Sequence, residues 1–481
     1  MPTVTGAART FREAIEITEK RGELMRIQRE VDPLVEIPGL MVAASKLKPI
    51  PALLCEAIRG YAGAQAVANL FADQRRVDVL VGFPESQHAS KLQYLDALET
   101  PISPVLVKDG PCQEHVITRN IDLARLIPLT HGALHTTRRY YQPVVFLKHP
   151  KTGVVNTSIY RACLQGPDRV TINIRWDQHG GLYLKQAQEL GVPLPVAMCL
   201  GVPAALYLAG LTKLPYGCAE VGFAGALMGE PVELVRCQTI DLEVPASAEI
   251  VVEGEIRPPY ETGFDGPWPE YLGYLGMEIY PPVVHVTAVT HRERPVTNIF
   301  VPGASPHMIG VGSQAQFLRH LQSSFGEFVV DTYLPPRTVM HHAIVKVRKT
   351  EGHHEGLQLN VGLAAFAFAN PLDKVTLVDE DINLYDLAEV DWAICTRCNP
   401  ARQVHILPQA RTHQNNPIGG IRELEDGEIV KGKMIVDATI PWRYRAMKRP
   451  DGLSHFSRSE WPPVELAEYL DPEDRKRWYG R

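Results

Sequence analysis

The sequence predicts a mixed α/β (α+β) protein built in three parts. Helix-like and strand-like segments alternate over residues 10–120, strand-like segments dominate 120–300, and the alternation resumes from about 312 to the end. The length of 481 residues agrees with three parts, since about 150 residues is a common domain size. The expected boundaries are 1–118 for a first α/β domain, 119–310 for a strand-rich domain, and 311–481 for a second α/β domain with a helical tail.

Each element has a local reason. Thr10-Phe-Arg-Glu13 reads as a capping box opening an amphipathic helix near 10–21, because Thr and Glu side chains three apart can satisfy each other's unpaired backbone N–H groups. A strand is expected near 23–30, with short apolar pieces near 51–57, 64–71 and 77–82, and prolines between 101 and 111 mark a linker. The middle part offers strands at 143–148, 153–161, 168–175, 195–200, 231–243, 248–256, 282–290 and 296–301, the last two flanking a hairpin-like turn at 291–295. One helix, Gly181–Leu190, interrupts them and stops at Gly191. Many strands with few helices imply a barrel or sandwich. Further on, 313–324 and 385–395 read as helices, 341–348 and 374–379 as strands, and 463–478 as a helix in a polar tail.

Composition excludes several classes. Hydrophobic residues make up 45% and charged residues 22%, and the net charge is −6, so no basic footprint for nucleic acid is expected. The longest apolar run, Val192–Leu211, holds Pro193, Pro195 and Pro203, which suits a buried strand–turn–helix rather than a membrane span. The N-terminus carries no apolar signal segment, and the eight cysteines are mostly scattered through apolar stretches, so a cytoplasmic protein with reduced thiols is expected.

Candidate chemistry is uneven. Gly310-Val-Gly312-Ser-Gln-Ala315 has dinucleotide-fingerprint spacing, but no strand runs directly into its first glycine. His353 and His354 are adjacent on a loop and cannot share a helix face, and Cys395 and Cys398 lack a second ligand pair. Glu253 and Glu255, on a strand, read as surface charge. The segment Phe264–Tyr274 is more telling. Its prolines and glycines forbid helix and central strand, and it sets Asp265 and Glu270 among Phe264, Trp268, Tyr271 and Tyr274. A carboxyl desolvated by aromatic walls is raised toward a useful general acid, although a plain surface loop would show the same letters. Asn156, Ser158 and Arg161 place an amide, a hydroxyl and a guanidinium on one short segment, His179 precedes a helix, and Glu233 begins a strand. An Asn, a His and a Glu suit Mn2+ or Mg2+ if folding brings them together.

In this order the pieces resemble the UbiD family of prenylated-FMN-dependent decarboxylases. The resemblance rests on Asn156–Arg161, Gln178-His179, Gly229–Glu233, Val244–Gly254, Asp265–Glu270 and Lys374–Ile382, and covers roughly residues 10–445. It implies that the central domain is a flavin-binding split β-barrel and that the chain forms a homodimer or a dimer-based hexamer through its C-terminal domain. It implies prenylated FMN, made by a flavin prenyltransferase, with a divalent metal (Mn2+ or Mg2+) and K+. It implies metal ligands at Asn156, His179 and Glu233, and cofactor contacts at Ser158, Ile159, Tyr160, Arg161, Gln178 and Lys374. It implies catalysis by Arg161, Asp265 and Glu270 on an aromatic, heteroaromatic or other α,β-unsaturated carboxylic acid, with release of CO2. Two departures stand out: Asp265 replaces a usual Glu, one methylene longer, and Pro269 replaces a frequent small residue.

Overall fold

A computed structural model describes residues 6–131, 134, 136–301, 310–413, 416–418, 430–445, 447–459 and 461–479. Thr10 caps the first helix, Phe11–Lys20, by accepting from Glu13 N. That helix and its neighbours cover a four-stranded sheet ordered Leu24–Ile27, Ala52–Cys55, Gln65–Ala68, Val296–Ile299. The apolar piece near 77–82 is helical, Gln74–Leu80, because the Asp73 carboxylate caps it.

The last strand of that sheet corrects two expectations. The turn at 291–295 closes no hairpin: Val283–His291 belongs to the central sheet, while Val296–Ile299 crosses over and pairs in parallel with Gln65–Ala68. The first sheet therefore draws an edge strand from the expected central domain, and strand His115–Ile117 passes the other way to pair with Val283–His291. Glu249 fixes this crossing. It is fully buried and accepts from Arg12 Nε and Nη2 at 2.8 Å each and from Val296 N at 3.1 Å. Glu253 is buried too, accepting from the backbone N–H groups of Gln238 and Thr239.

The central sheet is a split barrel, and its register shows why. Strand Val155–Ile159 ends the path of the sheet, whereas Ala162–Gly166 is third from the other end. Only Tyr160 and Arg161 join them, a reach of roughly 10 Å. The sheet must curl until its ends nearly meet, and Arg161 sits in the split. Both faces are buried. Along Val144–Lys148, Val144 and Phe146 join the core shared with the N-terminal helices, while Val145 and Leu147 fill the barrel.

The C-terminal part is a five-stranded sheet ordered Val329–Tyr333, His342–Val347, Lys374–Asp379, Val430–Ala438, Val404–Arg411. Helices Gly310–Phe325 and Leu357–Phe368 pack into one hydrophobic cluster with it, and Leu387–Arg397 into another. The tail is less helical than expected, with a short 3-10 turn at Leu466–Glu468 and a helix at Pro472–Tyr479. Among the described residues no helix is long and apolar enough to cross a membrane.

One buried ion pair joins the first part to the last. Lys91, on helix Gln87–Glu99, is 2% exposed and donates to the Asp331 carboxylate, to Thr332 O at 2.6 Å and to Tyr385 Oη at 3.0 Å. Lys91→Met leaves the Asp331 charge uncompensated and is expected to destabilise the fold by about 3–5 kcal/mol. Urea unfolding of Lys91→Met and of Lys91→Met/Asp331→Leu checks this, the double variant recovering part of the loss.

Candidate active site

The site is assembled from the split outward. Arg161 is 7% exposed. Its Nε donates to Asp265 Oδ1 and Oδ2 at 3.2 and 3.0 Å, its Nη1 to Glu270 Oε1 at 3.4 Å, and its guanidinium lies 5.8 Å from the Trp268 ring centre. Asp265 and Glu270 reach it from an irregular hairpin, held by bridges Asp265 to Ile279 and Pro269 to Leu275. Gly266 makes the bend at φ +120°, open to glycine alone, and its N–H donates to Tyr140 Oη at 3.1 Å. Trp268, 2% exposed, packs on Tyr140 with ring centroids 4.4 Å apart.

A cavity of about 350 Å3 opens above Arg161. Ile159, Tyr160, Arg161, Gln178, Trp268, Glu270 and Tyr271 line one side; His341, Pro371 and His413 line the other, from the C-terminal part. Asp265 is fully buried behind Arg161 and does not line the cavity. Burial raises the Glu270 carboxyl above its ordinary range against the opposing pull of Arg161, with the Asp265 charge adding to the rise. A Cβ at position 276 would lie 2.8 Å from Glu270 Oε1, so Gly276 leaves room for that carboxyl. Of the expected aromatic walls, Tyr274 is 58% exposed and Phe264 packs against Tyr280.

The far wall holds residues that sequence patterns did not single out. Arg175 Nη1 donates to His413 Nε2 at 2.8 Å, which ties the barrel to the C-terminal part across the cavity. Burial and the Arg175 charge push His413 down to about 4, so it is the neutral acceptor at pH 7. His341 is fixed by Asp373 Oδ2 at 2.9 Å, and Asp373 is held by Thr412, Asn416 and Lys431. These residues come from well-separated segments, so no local motif marks them.

The expected cation ligands divide. Asn156 is 5% exposed and its Nδ2 donates to Glu220 Oε1 at 3.0 Å, while Thr157 N donates to Glu220 Oε2 at 2.7 Å. Asn156 Oδ1 is buried without a hydrogen-bond partner. Burial raises Glu220 to about 7. An unsatisfied amide oxygen beside a desolvated carboxylate fits a hard divalent cation. His179 begins helix His179–Leu190, and Tyr160, whose hydroxyl borders the next residue, Gly180, also feels the Glu220 charge. Among the described residues no three His, Cys, Asp or Glu side chains could hold a metal alone, so a cation here needs the Asn156 oxygen and oxygens of a ligand.

Glu233 is not at this place. It is exposed at the start of strand Glu233–Arg236, beyond the far end of helix Glu220–Met228 from Glu220. The acid that folding brings to Asn156 is Glu220. Its sequence signal was a lone carboxylate opening an apolar helix, EVGFAGALM, where solvation is absent. Lys374 also falls outside the cavity lining; it is half-buried, near His342 and Asp391. Ser158 Oγ donates to Gly210 O at 3.4 Å, set back from the cavity.

Residues 15–95, 105–305 and 307–438 match, in turn, the N-terminal domain, the Rift-related domain and the C-terminal domain of 3-octaprenyl-4-hydroxybenzoate carboxy-lyase, UbiD. An uncharacterized protein of Archaeoglobus fulgidus is 32% identical over 94% of each chain, and the phenolic acid decarboxylase of Bacillus subtilis 28% identical over 96% of this chain and 98% of that one. The UbiD-class enzyme HmfF of Pelotomaculum thermopropionicum, solved with FMN, superposes with a TM-score of 0.87 at 34% identity, covering 96% of this chain and all of that one. The 3,4-dihydroxybenzoic acid decarboxylase of Klebsiella pneumoniae superposes at 0.87 and 26% identity, covering 97% and 99%.

The Glu220 placement has a direct test. With FMN present, Glu220→Gln is expected to weaken Mn2+ binding at least 10-fold, while Glu233→Gln leaves it unchanged, as measured by electron paramagnetic resonance of free Mn2+.

Proposed function

The chain belongs to the UbiD family of carboxy-lyases, and from that membership and its site geometry we propose that it decarboxylates an aromatic, heteroaromatic or other α,β-unsaturated carboxylic acid reversibly and without net oxidation. The observation that carries the proposal is the buried Arg161, bonded to both Asp265 and Glu270 at the cavity wall.

The cofactor of this reading is prenylated FMN, consistent with an evolved dimeric HmfF solved with prFMN, which is 32% identical to this chain. When bound, it supplies an electron sink for the carbon that loses CO2. Asn156, His179 and Glu220 would hold a divalent cation, Mn2+ or Mg2+, at its phosphate. Ile159, Tyr160 and Gln178, all on the cavity wall, would line its ring system. K+ and supply by a flavin prenyltransferase belong to the same reading, as does assembly into a homodimer or dimer-based hexamer.

The remaining chemistry is that of this chain's own residues. A guanidinium has five donors in a fixed fork. Asp265 takes Nε and Glu270 takes one N–H of Nη1, so N–H groups remain to grip a substrate carboxylate. Asp265, behind Arg161 and out of the cavity, orients that fork and needs no reach to substrate, so its shorter side chain is no obstacle. Glu270 faces the cavity, and burial shifts it toward its acid form. It delivers its proton to the carbon vacated by CO2 and removes it in the reverse direction. Trp268 and Tyr271 exclude water beside both groups. The same residues serve carboxylation of a phenolic or aromatic compound, and metabolite concentrations decide the direction.

Glu270→Gln is expected to lower kcat for decarboxylation by about 10²–10⁴-fold. The wild-type rate is expected to fall as pH rises through the raised Glu270 pKa, because the acid form is the donor, and this limb disappears in the variant. Stopped assays of CO2 release over a panel of aromatic acids, on protein co-produced with the prenyltransferase, measure both. Full activity in Glu270→Gln would overturn the assignment, and absence of any bound flavin would overturn the enzyme reading.

A further inference from the structure

Four rings, one of them the proposed ligand His179, stand together. His149, 6% exposed, lies in the turn after strand Val144–Lys148, and its Nδ1 accepts the backbone N–H groups of Lys151 at 3.1 Å and Thr152 at 3.0 Å. A nitrogen that accepts two N–H bonds carries no proton, so the proton of the neutral ring is on Nε2. That N–H donates to Tyr216 Oη at 2.9 Å, and Gln186 Nε2 donates to the same hydroxyl at 3.3 Å. Tyr216 is thus anchored at its oxygen, although 47% of its surface is exposed.

The anchored ring meets His179 edge-on, with centroids 5.4 Å apart and planes at 83°. Tyr183, one turn after His179 on the same helix, closes the group at 6.0 Å from Tyr216 and 4.7 Å from His149. Among the described residues the His179 ring makes no hydrogen bond. Histidines that hold metals are ordinarily oriented by an acceptor on the second nitrogen; here, among the described residues, the ring contact of His179 is the edge of Tyr216. Tyr216 also lies in the link between helices Ala204–Gly210 and Glu220–Met228, four residues before Glu220. One side chain therefore connects the carrier of His179, the approach to Glu220 and the turn at His149.

We infer that Tyr216, locked by His149, is a positioning residue of the divalent-cation site, setting the His179 ring and the start of the Glu220 helix. The inference rests on the reading of Asn156, His179 and Glu220 as cation ligands. Tyr216 does not line the cavity beside Arg161 and Glu270. It acts by limiting the orientations that His179 and Glu220 sample before the cation arrives.

The test is Mn2+ affinity of the full chain with FMN, read by electron paramagnetic resonance of free Mn2+, beside the melting temperature without metal. Tyr216→Ala is expected to weaken Mn2+ about 10-fold with little change in melting temperature, since the side chain is half exposed. Tyr216→Phe keeps the ring edge but loses the anchor, and is expected to weaken it by a smaller factor. Wild-type affinity in Tyr216→Ala, with affinity lost in Glu220→Gln, overturns the role of Tyr216 and leaves the ligand set standing. Should Tyr216→Ala fail to fold, unchanged affinity in Tyr216→Phe overturns it instead. A wild-type protein that binds no Mn2+ overturns the ligand set, and the role of Tyr216 with it.

Discussion

A single buried guanidinium is the constraint on which the site depends. Curling of the barrel puts Arg161 in the split, and an unpaired cation there would be costly. The hairpin that carries Asp265 and Glu270 answers that need. Its backbone pairs across Asp265–Ile279 and Trp268–Gly276 close the loop, and Arg161, the Tyr140 hydroxyl at Gly266 and the Trp268 ring packed on Tyr140 add side-chain contacts to it. One positive charge faces two acids. Asp265, enclosed, accepts from Arg161 Nε through both oxygens, while burial shifts Glu270 toward its acid form. The acid chemistry proposed for this loop would thus arise from one cation shared by two carboxyls.

The segment from Asn156 to Arg161 joins two chemistries over six residues. Asn156 points to Glu220, at the proposed cation end, and Arg161 to the cavity. A single strand and its two-residue turn therefore fix the spacing between the proposed phosphate end and the proposed reacting end, without a long loop between them. The C-terminal part closes the opposite wall through His341 and His413, and the Arg175–His413 bond is the stitch across.

Much of this was legible in the letters, and the failures have physical causes. The capped first helix, the strand–turn–helix at 192–211 and the loop at 263–270 are written in local chemistry: a capping threonine (the Glu13 carboxylate accepts from Arg9 N and not from Thr10), prolines, a positive-φ glycine. The motif of Glu233 is conspicuous but the residue is exposed, whereas the carboxylate beside Asn156 is Glu220, which an apolar helix carries out of water. The far wall could not be read, because Arg175, His341 and His413 meet only through tertiary packing. The turn at 291–295 reads equally well as a hairpin or a crossing. Parallel pairing across more than two hundred residues leaves no local signature.

That crossing bears on how the chain is made. The first sheet lacks its edge until Val296–Ile299 emerges, about 230 residues after Gln65–Ala68. At 5–20 residues per second this is roughly 10–45 s of synthesis, during which strand Gln65–Ala68 offers an open ladder on a nascent chain. The N-terminal segment is therefore a poor unit for shuffling between genes or for expression alone. It is a domain in space but not along the message, and its edge is a stretch where chaperones would find work.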